Sequence, residues 1–138
     1  MNRNPQPIIW FALVTSLFIY LFIAWMIVGK AAQRPLAEAI AIMPVPVLYA
    51  MGLMMFVAAF AAGRFLAPKN ELLTPGNAGA VEAKLRTARI AQWAMLESIC
   101  IFGLMAAFIL QTWTLVLPPF AVSLAGFVIT YPSDQRPL

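Results

Sequence analysis

Four long apolar stretches, separated by polar segments, dominate the pattern of this chain. The first, residues 8–29, reads IIWFALVTSLFIYLFIAWMIVG and contains no charged side chain. A helix needs about 20 apolar residues to cross a bilayer, so this stretch predicts a transmembrane helix. A cleaved signal peptide is the alternative, because Arg3 precedes the stretch and Ala31 and Ala32 follow it. The apolar core of a signal peptide is usually only about 7–15 residues long, which favours the retained helix.

The second predicted span covers residues 46–66. Pro46 stands at its start, where the first turn of a helix tolerates proline because no i−4 hydrogen bond is lost there. The polar segment that follows, residues 67–87, is rich in the Pro, Gly and Asn residues that are typical of loops and turns. Its last part, residues 80–86, is also compatible with a helix that continues into the next span.

The third predicted span covers residues 88–112, and the fourth covers residues 115–131. The connection between them is so short that the two spans should be antiparallel neighbours. Trp113 and Tyr131 suit the two membrane–water interfaces, where aromatic residues are enriched. The pattern therefore predicts an all-α integral membrane protein with four transmembrane helices in a single domain, residues 1–138, and a central hairpin of spans two and three.

The basic residues predict an orientation, since Lys and Arg collect on the cytoplasmic side of membrane proteins. If residues 67–87 lie in the cytoplasm, only Lys30 and Arg34 lie outside. The other basic residues are then cytoplasmic: Arg3, Arg64, Lys69, Lys84, Arg86, Arg89 and Arg136. This bias places both termini in the cytoplasm and suggests a multi-pass protein of a bacterial inner membrane; the reverse orientation is the alternative.

Composition supports a membrane protein and excludes several functions. Hydrophobic residues make up 63% of the chain and charged residues 10%, against about 25% charged in a soluble domain. The net charge of +4 is explained by topology, so no nucleic-acid partner is expected. With no His and one Cys, we expect no metal or other cofactor and no intramolecular disulfide. No nucleophile–base pair or nucleotide-binding motif is present, so we expect no enzyme.

Glu97 is the one ionisable residue that the third span places inside the bilayer. It lies eight residues after Arg89, or about 12 Å along a helix, which is near the middle of a hydrocarbon core about 30 Å thick. A charged acid at that depth costs about 2.5–3.5 kcal/mol, and low dielectric favours the neutral carboxyl. Glu97 is therefore a candidate proton-binding residue, with Ser98 beside it as a possible hydrogen-bond donor. The alternative is a protonated Glu97 that only joins neighbouring helices.

Small residues at four-residue spacing predict where helices approach each other closely. Pairs of this kind occur in the second and third spans. The candidate packing residues are Ala59, Gly63, Ala94, Gly103 and Ala107.

Residues 85–110, LRTARIAQWAMLESICIFGLMAAFIL, resemble the carboxylate-bearing outer helix of the rotary ATPase proteolipid, subunit c or K. Arg86-Thr87 match the basic opening of that helix, Glu97-Ser98 match the acid and its small neighbour, and Phe102-Gly103-Leu104 match the closing motif. The resemblance implies that Glu97 occupies the ion-carrying position. The third span is also similar to that of small uncharacterised four-span bacterial membrane proteins.

The chain departs from the proteolipid pattern in its second span, which has only Gly52 and Gly63 where the family has a run of glycines. Its polar loop is longer, and extra spans flank the hairpin. We therefore expect a small non-enzymatic membrane protein, either an accessory or assembly subunit of a larger complex or a homo-oligomer, with the lipid bilayer around it. Proton binding and translocation through Glu97 is the alternative function.

Overall fold

The computed structural model describes residues 5–66, 76 and 78–132, and over these residues it contains helices and no strand. The predicted all-α class is confirmed. The elements, in chain order, are α1 (Gln6–Val28), α2 (Leu36–Ile40), α3 (Val45–Phe65), α4 (Ala78–Leu110), a 3₁₀ helix (Trp113–Val116) and α5 (Leu117–Ile129).

Three of these helices, α1, α3 and α4, are long and apolar enough to cross a membrane. The chain is therefore that of a membrane protein. Both α1 and α3 have a proline in the first two helical positions, Pro7 and Pro46, where its missing N–H breaks no helical hydrogen bond.

The start of α4 differs from the sequence-based expectation. The predicted span began at residue 88, with residues 80–86 as a possible helical extension of it. The structure has this extension, and the helix begins at Ala78. The reason is the composition of this stretch, since Ala, Glu, Lys, Leu and Arg are all strong helix formers. The 33 residues of α4 span about 50 Å, which exceeds the hydrocarbon thickness by several turns. The remainder of the expected loop, residues 67–75 and 77, lies outside the described residues.

The last helix, α5, is shorter than α1, α3 and α4. Its 13 residues span about 20 Å. The four-residue 3₁₀ helix directly before it adds about 8 Å. Together they cover about the thickness of a hydrocarbon core, although α5 alone does not.

The central helix of the fold is α4, which packs against α1, α3 and α5. Its most extensive interface is with α3, while α1 and α3 share no comparable interface with each other. The α4 side chains at the centre of the core are fully buried: Trp93, Leu96, Cys100, Ala106 and Ala107.

Polar contacts show how the helix ends are arranged. At one end, Arg89 Nη1 donates to Gln6 Oε1 at 2.8 Å, which ties the start of α1 to α4. At the other end, the Trp113 backbone N–H donates to Gln33 Oε1 at 3.1 Å. Consequently α1 runs parallel to α4, whereas α3 and α5 run antiparallel to it.

Two glycines let α4 and α5 approach each other closely. A Cβ atom on Gly103 of α4 would lie 2.7 Å from Cγ of Pro119, and one on Gly126 of α5 would lie 2.5 Å from Cδ2 of Leu96. Between these points, the buried Ser123 hydroxyl donates to the Leu96 carbonyl at 2.8 Å. The side of α4 that contains Leu96 and Gly103 is thus covered by α5 at close range.

Candidate functional site at Glu97

The carboxyl group of Glu97 is held by two hydroxyl groups of α1. Ser16 Oγ lies 2.6 Å and Tyr20 Oη 2.8 Å from the same oxygen, Glu97 Oε1. Ser16 and Tyr20 are four residues apart, so they share one face of α1. Because α1 runs parallel to α4, this face meets Glu97 about two turns of α4 inside the Arg89–Gln6 contact.

Ser16 makes two short contacts that a single hydroxyl proton cannot serve together. Its Oγ lies 2.6 Å from the Leu13 carbonyl oxygen as well as 2.6 Å from Glu97 Oε1. If Glu97 is ionised, Ser16 donates to the carboxylate. If Glu97 is protonated, the carboxyl donates to Ser16 Oγ, which in turn donates to Leu13. The geometry accommodates both forms of the carboxyl group.

The second carboxyl oxygen, Oε2, has a different environment. Both contacts from α1 go to Oε1, and none of the other described residues hydrogen-bonds Oε2. Glu97 as a whole is only partly buried, and Oε2 is not among the enclosed polar atoms that lack a partner. This oxygen therefore remains accessible from outside the helix bundle.

Ser98 does not hold Glu97 in this arrangement. Its hydroxyl donates to the Ala94 carbonyl one turn earlier, at 2.9 Å. Ser/Thr hydroxyls in helices commonly bond the i−4 carbonyl in this way. The assignment of Ser98 to an ion site stays a prediction, and the donors that reach Glu97 come from α1.

One face of α4, which we call the open face, is not covered by the other helices that the structure describes. It consists of Ile90, Ala94, Ile101, Met105 and Ile109, all of which are exposed. These residues recur every four or seven positions and therefore form a single stripe along the helix. The stripe lies between α1 and α3, since Glu97 faces α1 on one side and Gln92 lies against Gly63 of α3 on the other.

The candidate packing residues fall into two groups. Ala59, Gly103 and Ala107 are buried inside the bundle, and Gly63 is in close contact with the Gln92 side chain. Ala94, by contrast, is exposed on the open face, so no helix of this chain uses the small Ala94/Ser98 pair. Both residues lie within one turn of Glu97 and flank it on the uncovered side.

The sequence-based assignment missed Ser16 and Tyr20 as partners of Glu97. Span one was predicted only as a transmembrane helix, with no role for its hydroxyl groups. The signal that marks these two residues is their spacing: two hydroxyl-bearing side chains four positions apart in an otherwise apolar helix. Within a membrane, hydroxyl groups of this kind commonly form hydrogen bonds with a neighbouring helix.

The described residues contain no group of three His, Cys, Asp or Glu side chains that could hold a metal ion. The interaction that the structure shows at this site is hydrogen bonding of one carboxyl oxygen by two hydroxyl groups. No protein-family model, no curated protein and no solved structure matches this chain.

Proposed function

We propose that this chain is a small non-enzymatic integral membrane protein that acts as an accessory or assembly subunit, or as a homo-oligomer. The observation that carries the proposal is the open face of α4. The central helix of the bundle is left uncovered between α1 and α3, and Ala94 and Ser98 lie there at a spacing that lets another helix approach closely. Such a surface favours contact with a further transmembrane helix.

We further propose that the chain crosses the bilayer four times, with both termini and residues 67–77 in the cytoplasm. The combined length of the 3₁₀ helix and α5 is sufficient for the fourth crossing. The antiparallel order of the helices puts Arg64, Lys84, Arg86 and Arg89 at one end of the bundle. Because Lys and Arg favour the cytoplasmic side, that end is assigned to the cytoplasm.

A bulky substitution on the open face tests the assembly proposal. We expect Ala94→Leu to dissociate the assembly, because the larger side chain prevents a close helix approach. Native mass spectrometry of gently extracted membranes should show the native chain in a complex heavier than one chain, and the variant mainly as a monomer.

Ala12→Leu is the matched control for this experiment. Ala12 is also exposed, on α1, and lies at nearly the same depth as Ala94, because Gln6 and Arg89 are in contact. We expect this variant to leave the complex intact. A native chain that is monomeric in its own membrane, or equal behaviour of the two variants, would contradict the proposal.

Proton binding at Glu97 is the second candidate function. The specific observation that favours it is the pair of contacts at Ser16, which accommodates both the ionised and the protonated carboxyl with little movement. A carboxyl that gains and loses a proton without rearranging the helices suits a proton-binding role.

Labelling with a hydrophobic carbodiimide tests this second function, because the reagent reacts with protonated carboxyl groups. We expect labelling of Glu97 in native membranes that declines as the pH rises, and none of that label in Glu97→Gln. Peptide mapping by mass spectrometry locates the adduct. If Glu97 is not labelled at any pH, the proposal that Glu97 exchanges protons on the lipid side is wrong, and the role of Glu97 is to join α4 to α1.

A further inference from the structure

Glu97 and the open face lie next to each other on α4, because Glu97 follows Ala94 by three residues and precedes Ile101 by four. Oε1 accepts from Ser16 and Tyr20, whereas Oε2 has no partner among the described residues and remains accessible. Lipid acyl chains offer neither a hydrogen-bond donor nor an acceptor at this depth. Whether Glu97 is ionised or protonated, none of the described residues forms a hydrogen bond with Oε2.

A second copy of this chain cannot supply a cation to that oxygen. The spanning parts of the described helices contain no Lys or Arg near the middle of the bilayer. The nearest basic residue on α4 is Arg89, about 12 Å away along the helix and bonded to Gln6. Arg64 lies at the end of α3, in its last turn. A Lys or Arg that pairs with Glu97 Oε2 at this depth would therefore come from a protein of different sequence.

We propose that the open face of α4 binds a transmembrane helix of a different protein, which presents a Lys or Arg side chain at mid-depth to Glu97 Oε2. The inference rests on the proposed assembly function and specifies its partner as a second, basic membrane protein. Pairing two opposite charges relieves the cost that each alone imposes at the bilayer centre. The match is electrostatic, since Glu97, which lies beside the open face, is an acid and the open face itself carries no cation.

The surroundings of Glu97 suit such a contact. Ala94 and Ser98 leave room for the partner backbone, and Ile90 and Ile101 provide apolar surface for the methylene groups of a long basic side chain. The hydroxyls of Ser16 and Tyr20 hold Oε1 from the opposite side. These two contacts restrict the orientation of the carboxyl group and leave Oε2 without a partner among the described residues.

Synthetic transmembrane peptides test this chemistry directly. The full chain, reconstituted in phosphatidylcholine vesicles, is mixed with a fluorescent Leu-Ala helix that carries a single central Lys, or with the same helix carrying Leu there. Association is measured by energy transfer to a dye on the chain. We expect the Lys peptide to bind about tenfold more tightly than the Leu peptide.

Two variants identify the contact. Glu97→Gln keeps the shape and hydrogen-bonding capacity of the side chain but removes its charge, so the preference for the Lys peptide should disappear. Ala94→Leu should weaken the binding of the Lys peptide while Glu97 is unchanged, and Ala12→Leu should have no effect. Equal binding of the two peptides to the native chain, or a Lys preference that survives Glu97→Gln, would overturn the inference.

The outcomes separate this inference from the proposed function. Loss of the native complex in Ala94→Leu membranes, combined with equal binding of both peptides, means that the face mediates assembly by another chemistry. If neither peptide binds, lipid covers the face in these vesicles and the basic-partner inference is wrong. If the chain associates with itself through Ala94 and does not prefer the Lys peptide, a second copy occupies the open face. That result also contradicts the inference.

Discussion

Replacing Trp93 with alanine is expected to lower the free energy of unfolding by about 2–4 kcal/mol, the largest effect of any substitution considered. Trp93 is fully buried where α4 faces the end of α5, and its indole Nε1 donates to Thr130 Oγ1 at 3.2 Å. The substitution leaves a cavity between the helices and removes the hydrogen bond. Within a membrane, helix association depends on such packing contacts, because lipid offers no hydrophobic driving force between helices.

Trp25→Ala is the control for this prediction. Trp25 lies on the outer face of α1 and is 54% exposed. The loss of its side chain removes few contacts within the chain, so we expect a change within about 0.5 kcal/mol. Reversible unfolding in mixed micelles, followed by far-UV circular dichroism, measures both variants. Similar destabilisation by the two substitutions would mean that Trp93 does not hold α4 against α5.

The second large effect is expected at the contact between α1 and Glu97. Tyr20→Phe removes one of the two hydroxyls on Oε1 and should destabilise the chain by about 1–2 kcal/mol, because a partly buried carboxyl group loses a hydrogen-bond partner between two membrane helices. The same substitution in a Glu97→Leu background should have a much smaller effect, since no carboxyl remains to accept the hydrogen bond. The difference between the two values is the coupling energy of the pair.

Thr15→Val provides a matched control on the same helix. Thr15 Oγ1 donates to the Phe11 carbonyl within α1 and is exposed, so it makes no contact with α4 through its hydroxyl. We expect its substitution to change stability by less than about 0.5 kcal/mol in either background. If Tyr20→Phe destabilises the native chain and the Glu97→Leu variant equally, the Tyr20–Glu97 contact contributes nothing to stability.

Much of the fold is predictable from the sequence, because uninterrupted apolar length dictates helical structure in a membrane. Backbone groups have no water to bond inside a bilayer, so a stretch such as residues 8–29 must satisfy them within a helix. Pro46 and Pro118 mark the starts of α3 and α5 for an equally local reason. The sequence left residues 78–87 ambiguous, since their polarity is typical of a loop but residues 80–86 were also compatible with a helix; Ala, Lys and Glu propensity produces the first turns of α4 there.

The candidate site was predictable only in part. Glu97 is identifiable because a single acid in an apolar span is costly wherever it lies. Its partners are not, because Ser16 and Tyr20 precede it by 81 and 77 positions and become neighbours only when α1 packs parallel to α4. Span one, predicted only as a transmembrane helix, supplies the donors that hold the carboxyl group.

The sequence by itself determined that the chain is helical, that it belongs in a membrane and that one acid lies near the middle of its third apolar stretch. These properties depend on local composition and length. Only the tertiary structure decided which oxygen of Glu97 is bound, that Ala94 faces outward while Gly103 and Ala107 face inward, and that α4 is left open between α1 and α3. The reason is that lipid solvates each of the apolar stretches equally well. Hydrophobicity therefore cannot select their arrangement, which depends on how the side chains of neighbouring helices fit together.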